Sequence, residues 1–161
     1  MITFKLRYYT ELYNKRNPLE INEGTIVYPL FVKWSYEGID YEFVRNDKDF
    51  ISFIFVSQEF ILVNYYKDSV AFPAPYNLVL YNLKKQMLKT IPPPKPINVK
   101  GDLVFSGIGE EKILINGVEY LKIALGYDSV LEHIREFRYL NLETFEFHPT
   151  ENTFLKWNDQ R

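Results

Sequence analysis

Most of the chain alternates between apolar and polar residues, which is the pattern of β-strands with one buried face. Segment 2–9 shows it first, because its even positions are apolar and its odd positions are mostly polar. Segment 25–36 repeats the pattern, but Pro29 lies inside it. Because proline cannot donate a hydrogen bond to a neighbouring strand, this segment should lie at a sheet edge or carry a bulge.

Two segments, 50–56 and 60–66, are apolar at nearly every position instead of alternating. A strand of this kind is typical of the middle of a sheet, where both faces are covered. We therefore expect these two strands to be central. Further strands are expected at 39–45, 76–82, 86–91 and 102–106. A turn of the chain is expected at 107–109, directly after the last of these strands.

The clearest local signal is the pair Asn116-Gly117, which stands between the apolar run 113–115 and the alternating segment 118–120. Asn-Gly readily adopts the positive φ angles of a two-residue type I′ turn. The pattern predicts a tight β-hairpin with these two residues at its tip.

One short helix is predicted over residues 130–137. Ser129 and Glu132 have the spacing of a capping box, in which each side chain satisfies a backbone N–H at the start of a helix. Apolar residues then follow at helical spacing from Val130 to Phe137.

Length and composition fit a folded chain of one domain. The chain has 161 residues, of which 47% are hydrophobic, and its net charge is −2. Apolar content this high with so small a charge excludes an intrinsically disordered protein. We predict a single all-β domain over residues 1–161, an antiparallel meander that closes into a barrel or a two-sheet sandwich, with the one short helix near 130–137.

The compartment and the broad classes of partner follow from what the sequence lacks. The first residues alternate and carry charge, unlike a signal peptide, and no apolar run approaches the roughly 20 residues of a membrane span. Cysteine is absent, which excludes disulfides, thiolate chemistry and Cys-ligated zinc. A net charge of −2 argues against nucleic-acid binding. We expect a cytoplasmic protein that binds neither membrane nor nucleic acid.

Candidate catalytic residues are few. His133 and His148 belong to no metal-binding or catalytic motif and are interpreted as surface residues. Asp40 and Glu42 lie two apart on one strand, so both point to the same face and could act as the acid and base of a glycan-processing hydrolase. A polar outer face explains them more simply. The sequence therefore predicts no catalytic residue, no metal and no cofactor, with the hydrolase kept as an alternative.

Charge is distributed unevenly along the chain. Residues 1–68 carry a net −2, the stretch between Asp68 and Asp102 carries +5 without any acid, and residues 102–161 carry −5. The basic stretch also holds the extended proline segment 92–96. One interpretation is a surface that docks on an acidic partner, and the other is an edge strand guarded by lysine against aggregation. The candidate binding residues here are Lys84, Lys85, Lys89 and Lys95.

Tyrosine is unusually frequent, with 13 Tyr beside 13 Phe and 2 Trp. A buried core explains most of the phenylalanine. It does not explain the doublets 8–9 and 65–66, because adjacent strand residues point to opposite faces and one tyrosine of each doublet must face away from a given core.

These features favour a non-enzymatic binding module, since tyrosine supplies rigid, amphipathic contact area at recognition surfaces. The first hypothesis is a protein partner, which includes a second copy of the chain in a homodimer. The alternative is a carbohydrate-binding module that stacks sugar rings on Trp34, Tyr36 and Tyr41.

Overall fold

A computed structural model describes residues 1–127 and 133–156. These residues form thirteen strands and one short helix, and every paired strand is antiparallel, so the all-β prediction is confirmed. The elements in chain order are β1 (Phe4–Tyr8), α1 (Glu11–Arg16), β2 (Glu20–Ile21), β3 (Gly24–Val27), β4 (Pro29–Tyr36), β5 (Ile39–Val44), β6 (Ile51–Val56), β7 (Ile61–Tyr65), β8 (Leu78–Tyr81), β9 (Met87–Thr90), β10 (Leu103–Ile115), β11 (Val118–Tyr127), β12 (Ile134–Asn141) and β13 (Phe147–Lys156).

The strands form three open sheets. The first sheet has the order β2-β1-β4-β5, the middle sheet β3-β6-β7-β8-β9, and the last sheet β10-β11-β12-β13. Because each sheet ends at two edge strands, the described residues contain no closed barrel. The arrangement is a sandwich with three layers, one more than the sequence suggested.

The middle sheet is covered on both faces, which confirms that β6 and β7 are central strands. Consecutive residues of these strands face opposite cores, so almost every position is buried. One core lies between the first and middle sheets and includes Phe4, Val32, Trp34, Ile54, Val63 and Tyr81. The other lies between the middle and last sheets and includes Phe55, Leu62, Leu80, Leu121, Ile123 and Leu140.

Segment 25–36 is not one strand, because the chain crosses between sheets at Tyr28. Tyr28 has a φ of 47°, which ends β3 at the edge of the middle sheet and starts β4 inside the first sheet. Pro29 is the first residue of β4, and the neighbouring β1 shifts register between Arg7 and Tyr8, opposite it. Before the crossing, β3 is therefore an edge strand, and after it β4 pairs with β1 through a local shift of register.

The Asn-Gly hairpin is confirmed. Asn116 and Gly117 have φ angles of 51° and 81° and connect β10 to β11. The predicted turn at 107–109 is wrong, because these residues continue β10 with two local shifts of register against β11. A Cβ at Gly109 would lie 3.0 Å from the Cβ of Lys122, so the glycine permits close contact between strands instead of a reversal.

The helix predicted over 130–137 is wrong for its second half. Ile134 to Phe137 begin β12, and residues 130–132 lie outside the described part of the chain. The inward positions of β12 include the charged residues Glu136 and Arg138, and these hide the alternation that marks a strand.

The short helix of the described residues is α1, which the sequence did not indicate. It has no buried side chain, and Asn14 fixes it to β1 through hydrogen bonds with the backbone N–H and C=O of Tyr8, at 2.8 and 3.1 Å. No helix within residues 1–127 and 133–156 has the length and apolar character needed to cross a membrane.

Candidate functional site

The three aromatic residues proposed for sugar stacking do not form an exposed platform. Trp34 is only 3% exposed, and its Nε1–H donates a 2.9 Å hydrogen bond to the Leu83 carbonyl oxygen. Its ring stacks on Tyr41 with centroids 5.7 Å apart. Tyr36 and Tyr41 are half-buried against the same core. The carbohydrate hypothesis therefore depends on two partly covered tyrosines.

A cleft of about 850 Å³ does lie beside these tyrosines, between residues 1–5 and the β4–β5 hairpin. Asp40 and Glu42 border it from the outer face of the sheet, as their alternation predicted. Both are exposed: the Ser35 hydroxyl donates a hydrogen bond to Asp40, and Lys33 lies 3.9 Å from Glu42. These are the contacts of a solvated polar face.

The lysines of the basic stretch have different neighbours in the structure. Lys84 is exposed and its Nζ lies 3.5 Å from a carboxylate oxygen of Glu37 in the first sheet. The ammonium of Lys85 lies 4.8 Å from the ring centroid of Phe43. These two lysines thus face the first sheet.

Lys89 and Lys95 lie on the opposite side, near the last sheet. Lys89 belongs to β9, which is an edge strand of the middle sheet. The two residues before Lys89 in this strand, Met87 and Leu88, are 54% and 55% exposed. Leu88 is an extra residue in the register, since Leu80 pairs with Lys89 and the next pair joins Tyr81 to Met87. A bulge and a lysine are two devices that protect an open edge from pairing with another chain.

An exposed aromatic surface lies at the crossing between the first and middle sheets. We call it the tyrosine end and define it by Tyr9, Tyr28, Arg45, Phe50 and Tyr66. The three tyrosines are 55%, 45% and 47% exposed. Tyr9 and Tyr66 are the outward members of the two doublets, while Tyr65 is buried, as the alternation argument expected.

Arg45 is the centre of the tyrosine end. Its guanidinium carbon lies 3.5 Å from the ring centroid of Tyr9 and 4.2 Å from that of Phe50. The Phe50 ring in turn contacts Tyr28 and Tyr66, with centroids 5.8 and 6.3 Å apart. In the described part of the chain Arg45 forms no ion pair.

Backbone hydrogen bonds hold the tyrosine end in place. The N–H of Tyr9 donates to the carbonyl oxygen of Tyr28 at 2.9 Å, and the N–H of Tyr66 donates to the carbonyl oxygen of Phe50 at 2.8 Å. The N–H of Arg45 donates to the carbonyl oxygen of Leu30 at 2.8 Å. The side chains are therefore presented from a fixed backbone, which lowers the entropy lost on binding.

Asp49 closes the loop next to this surface. Its carboxylate accepts hydrogen bonds of 2.8 Å from the Ala71 N–H and from the Ser69 hydroxyl. The Ala71 and Ser69 bonds lower the pKa of Asp49 below its ordinary value. The carboxylate thus stays charged near neutral pH and keeps the segment after Tyr66 attached to the segment before Phe50.

A second polar cluster is buried in the last sheet. Glu136 has no exposed surface, and its carboxylate accepts hydrogen bonds from the backbone N–H groups of Ile97 and Asn98 at 3.1 and 3.0 Å. The Asn98 side chain and the Tyr127 hydroxyl donate to the same oxygen at 2.7 and 2.9 Å. Arg138, only 3% exposed, donates to the other oxygen at 3.1 Å.

The hydrogen bonds decide the charge of this cluster. Burial acts to raise the pKa of Glu136, but the donors from Asn98 and Tyr127 outweigh it and lower the pKa below the ordinary value. Burial, followed by the hydrogen bond to the charged Glu136, raises the pKa of Tyr127 to about 12. The carboxylate is therefore charged and the phenol neutral at pH 7.

Neither the tyrosine end nor the buried cluster has the donor set of a metal site, and no group of three His, Asp or Glu side chains among the described residues could hold a metal ion. Comparisons of the chain with models of known protein families, with curated proteins and with solved structures found no match.

Proposed function

We propose that the chain is a non-enzymatic binding module that engages a protein partner through the tyrosine end. The observation that carries the proposal is the set of three exposed tyrosines around Arg45. Tyrosine and arginine are over-represented among the residues that dominate protein–protein binding energies. The carbohydrate alternative has less support, because Trp34 is buried.

The chemistry of the cluster also indicates the kind of partner. The Arg45 guanidinium lies over the rings of Tyr9 and Phe50. A guanidinium that stacks on aromatic rings keeps its in-plane N–H donors for other acceptors. A carboxylate is the natural acceptor for those donors. The proposed partner therefore places an acidic side chain on Arg45 and apolar or aromatic groups on the surrounding tyrosines.

Affinity capture compared between variants tests this proposal. The protein is captured as the native chain, as Arg45→Gln and as Tyr66→Ser, with Tyr76→Ser as the matched control. Tyr76 is 57% exposed and lies outside the tyrosine end. A partner that is retained by the control and lost by the other two variants, and that then binds the purified native chain directly, supports the proposal. A set of captured proteins that is unchanged by Arg45→Gln contradicts it.

Self-association is distinguished by sedimentation of the purified chain over a range of concentrations. A dimer that Arg45→Gln dissociates identifies the partner as a second copy. A monomer at every concentration, together with capture that depends on Arg45, identifies a different protein.

A further inference from the structure

A groove separate from the tyrosine end lies between the proline segment 92–96 and the turn that joins β12 to β13. Its volume is about 580 Å³, which is in the range of small-molecule sites. One wall consists of the prolines, and the other includes Phe147 and Pro149. The ring of Phe147 stacks on the ring of Phe105, with the two centroids 6.0 Å apart. The walls are therefore apolar and fixed.

The groove is also basic. Lys89 and Lys95 line it, and Arg138 lies at its inner side. Glu136 balances the charge of Arg138 through the buried ion pair. The remaining charged residues of the lining are Glu146, Lys89 and Lys95, and their charges sum to +1. The lining is therefore positive.

Arg138 borders this groove, but its hydrogen bonds hold it inside the fold. Its Nη1 donates to Glu136 and, at 2.7 Å, to the Lys95 carbonyl oxygen. Its Nη2 donates at 3.4 Å to the carbonyl oxygen of His148, and its buried Nε has no hydrogen-bond partner. Because Nε is buried and both Nη atoms are bonded, an anion in the groove meets the exposed Lys89 and Lys95 instead of Arg138.

We propose that this groove binds a small organic carboxylate with an apolar body. The carboxylate lies between the exposed side chains of Lys89 and Lys95, and the apolar body lies along the prolines and Phe147. This site shares no residue with the tyrosine end, so it does not depend on the proposed function.

Octanoate tests the proposal, with octanol as the uncharged probe of the same length. Titration calorimetry at pH 7 should show octanoate binding roughly tenfold or more tightly than octanol, because charge-assisted hydrogen bonds are the stronger kind. Each methylene between hexanoate and octanoate should raise affinity about fourfold. Lys89→Met and Lys95→Met should each weaken octanoate binding by about two- to fivefold.

Lys100→Met is the matched control, since Lys100 is exposed in the same basic stretch but does not line the groove. It should leave octanoate binding unchanged. Equal affinity for octanol and octanoate, no saturable octanoate binding up to about 10 mM, or wild-type affinity in both Lys89→Met and Lys95→Met would overturn the proposal.

Discussion

Replacing Glu136 by glutamine should destabilise the protein far more than the same change at the exposed Glu42. The glutamine keeps one oxygen for the donors of Ile97, Asn98 and Tyr127, and its amide N–H₂ then faces the N–H of Arg138. The variant therefore loses a hydrogen bond and leaves a buried arginine without its counter-charge.

The expected loss of unfolding free energy follows from the burial of the ion pair between Glu136 and Arg138. Removing one partner of a buried ion pair costs about 3–5 kcal/mol, and losing one hydrogen bond to a charged group accounts for about 1.5–3 kcal/mol of this. For a chain of this length each kcal/mol lowers the Tm by about 2–4 °C, so Glu136→Gln should lower it by about 6–20 °C. Glu42→Gln should cost less than about 1 kcal/mol, because the pair with Lys33 is half-exposed and 3.9 Å long.

Urea unfolding followed by circular dichroism measures these free energies. Hydrogen exchange supplies a local test, since the amides of Ile97 and Asn98 should exchange faster in Glu136→Gln. The double variant with Arg138→Met should cost about as much as either single change, because each already breaks the pair. A cost of Glu136→Gln at pH 7 no larger than that of Glu42→Gln would refute the anchoring role of the carboxylate.

The same cost should depend on pH. The folded pKa of Glu136 is lowered from its ordinary value of 4.5 by the hydrogen bonds that outweigh burial. A lowered carboxyl pKa contributes stability that is complete above the unfolded value and disappears as pH falls through the folded value. The difference between the native chain and Glu136→Gln should therefore be constant from pH 7 to about 5 and shrink below the ordinary pKa. A difference that stays constant through this acidic range would contradict the assigned pKa direction.

Three further changes have defined outcomes. Gly117→Val should cost about 1–2 kcal/mol in urea unfolding, because the residue has a φ of 81° and a β-branched side chain resists that region; an unchanged midpoint would argue against the turn. Trp34→Phe should cost about 1–3 kcal/mol, since it leaves the Leu83 carbonyl unpaired in the core, and calorimetry showing no loss would argue against that hydrogen bond. His148→Gln should change the unfolding free energy by less than about 1 kcal/mol and leave partner capture intact; a loss of capture at unchanged Tm would contradict the interpretation of His148 as non-functional.

The sequence predicted the strands whose environment is simple. Segments 50–56 and 60–66 are apolar on both faces because cores cover both, and that pattern needs no knowledge of their neighbours. The turn at Asn116-Gly117 was predictable for a similar reason, because a type I′ turn depends on two local φ angles.

Two predictions were wrong where a tertiary contact decides the local structure. Gly109 looks like a turn residue, yet it continues β10 in close contact with β11, where a Cβ would lie 3.0 Å from the Cβ of Lys122. Glu136 and Arg138 look like outward residues, yet they point inward, where backbone groups of residues 95–98 form hydrogen bonds with them. Neither contact has a signature in the residues nearby along the chain.

The candidate site shows the same division between local and tertiary information. Alternation alone indicated that one tyrosine of each doublet must be exposed, and Tyr9 and Tyr66 are. It could not indicate that both lie around Arg45, because they come from different sheets and meet only where the chain crosses at Tyr28. Alternation also could not indicate that Trp34 is buried. A large aromatic residue on a strand has the same pattern whether its face meets solvent or, as here, the second layer of a sandwich, and only the partner sheet distinguishes a binding platform from a core.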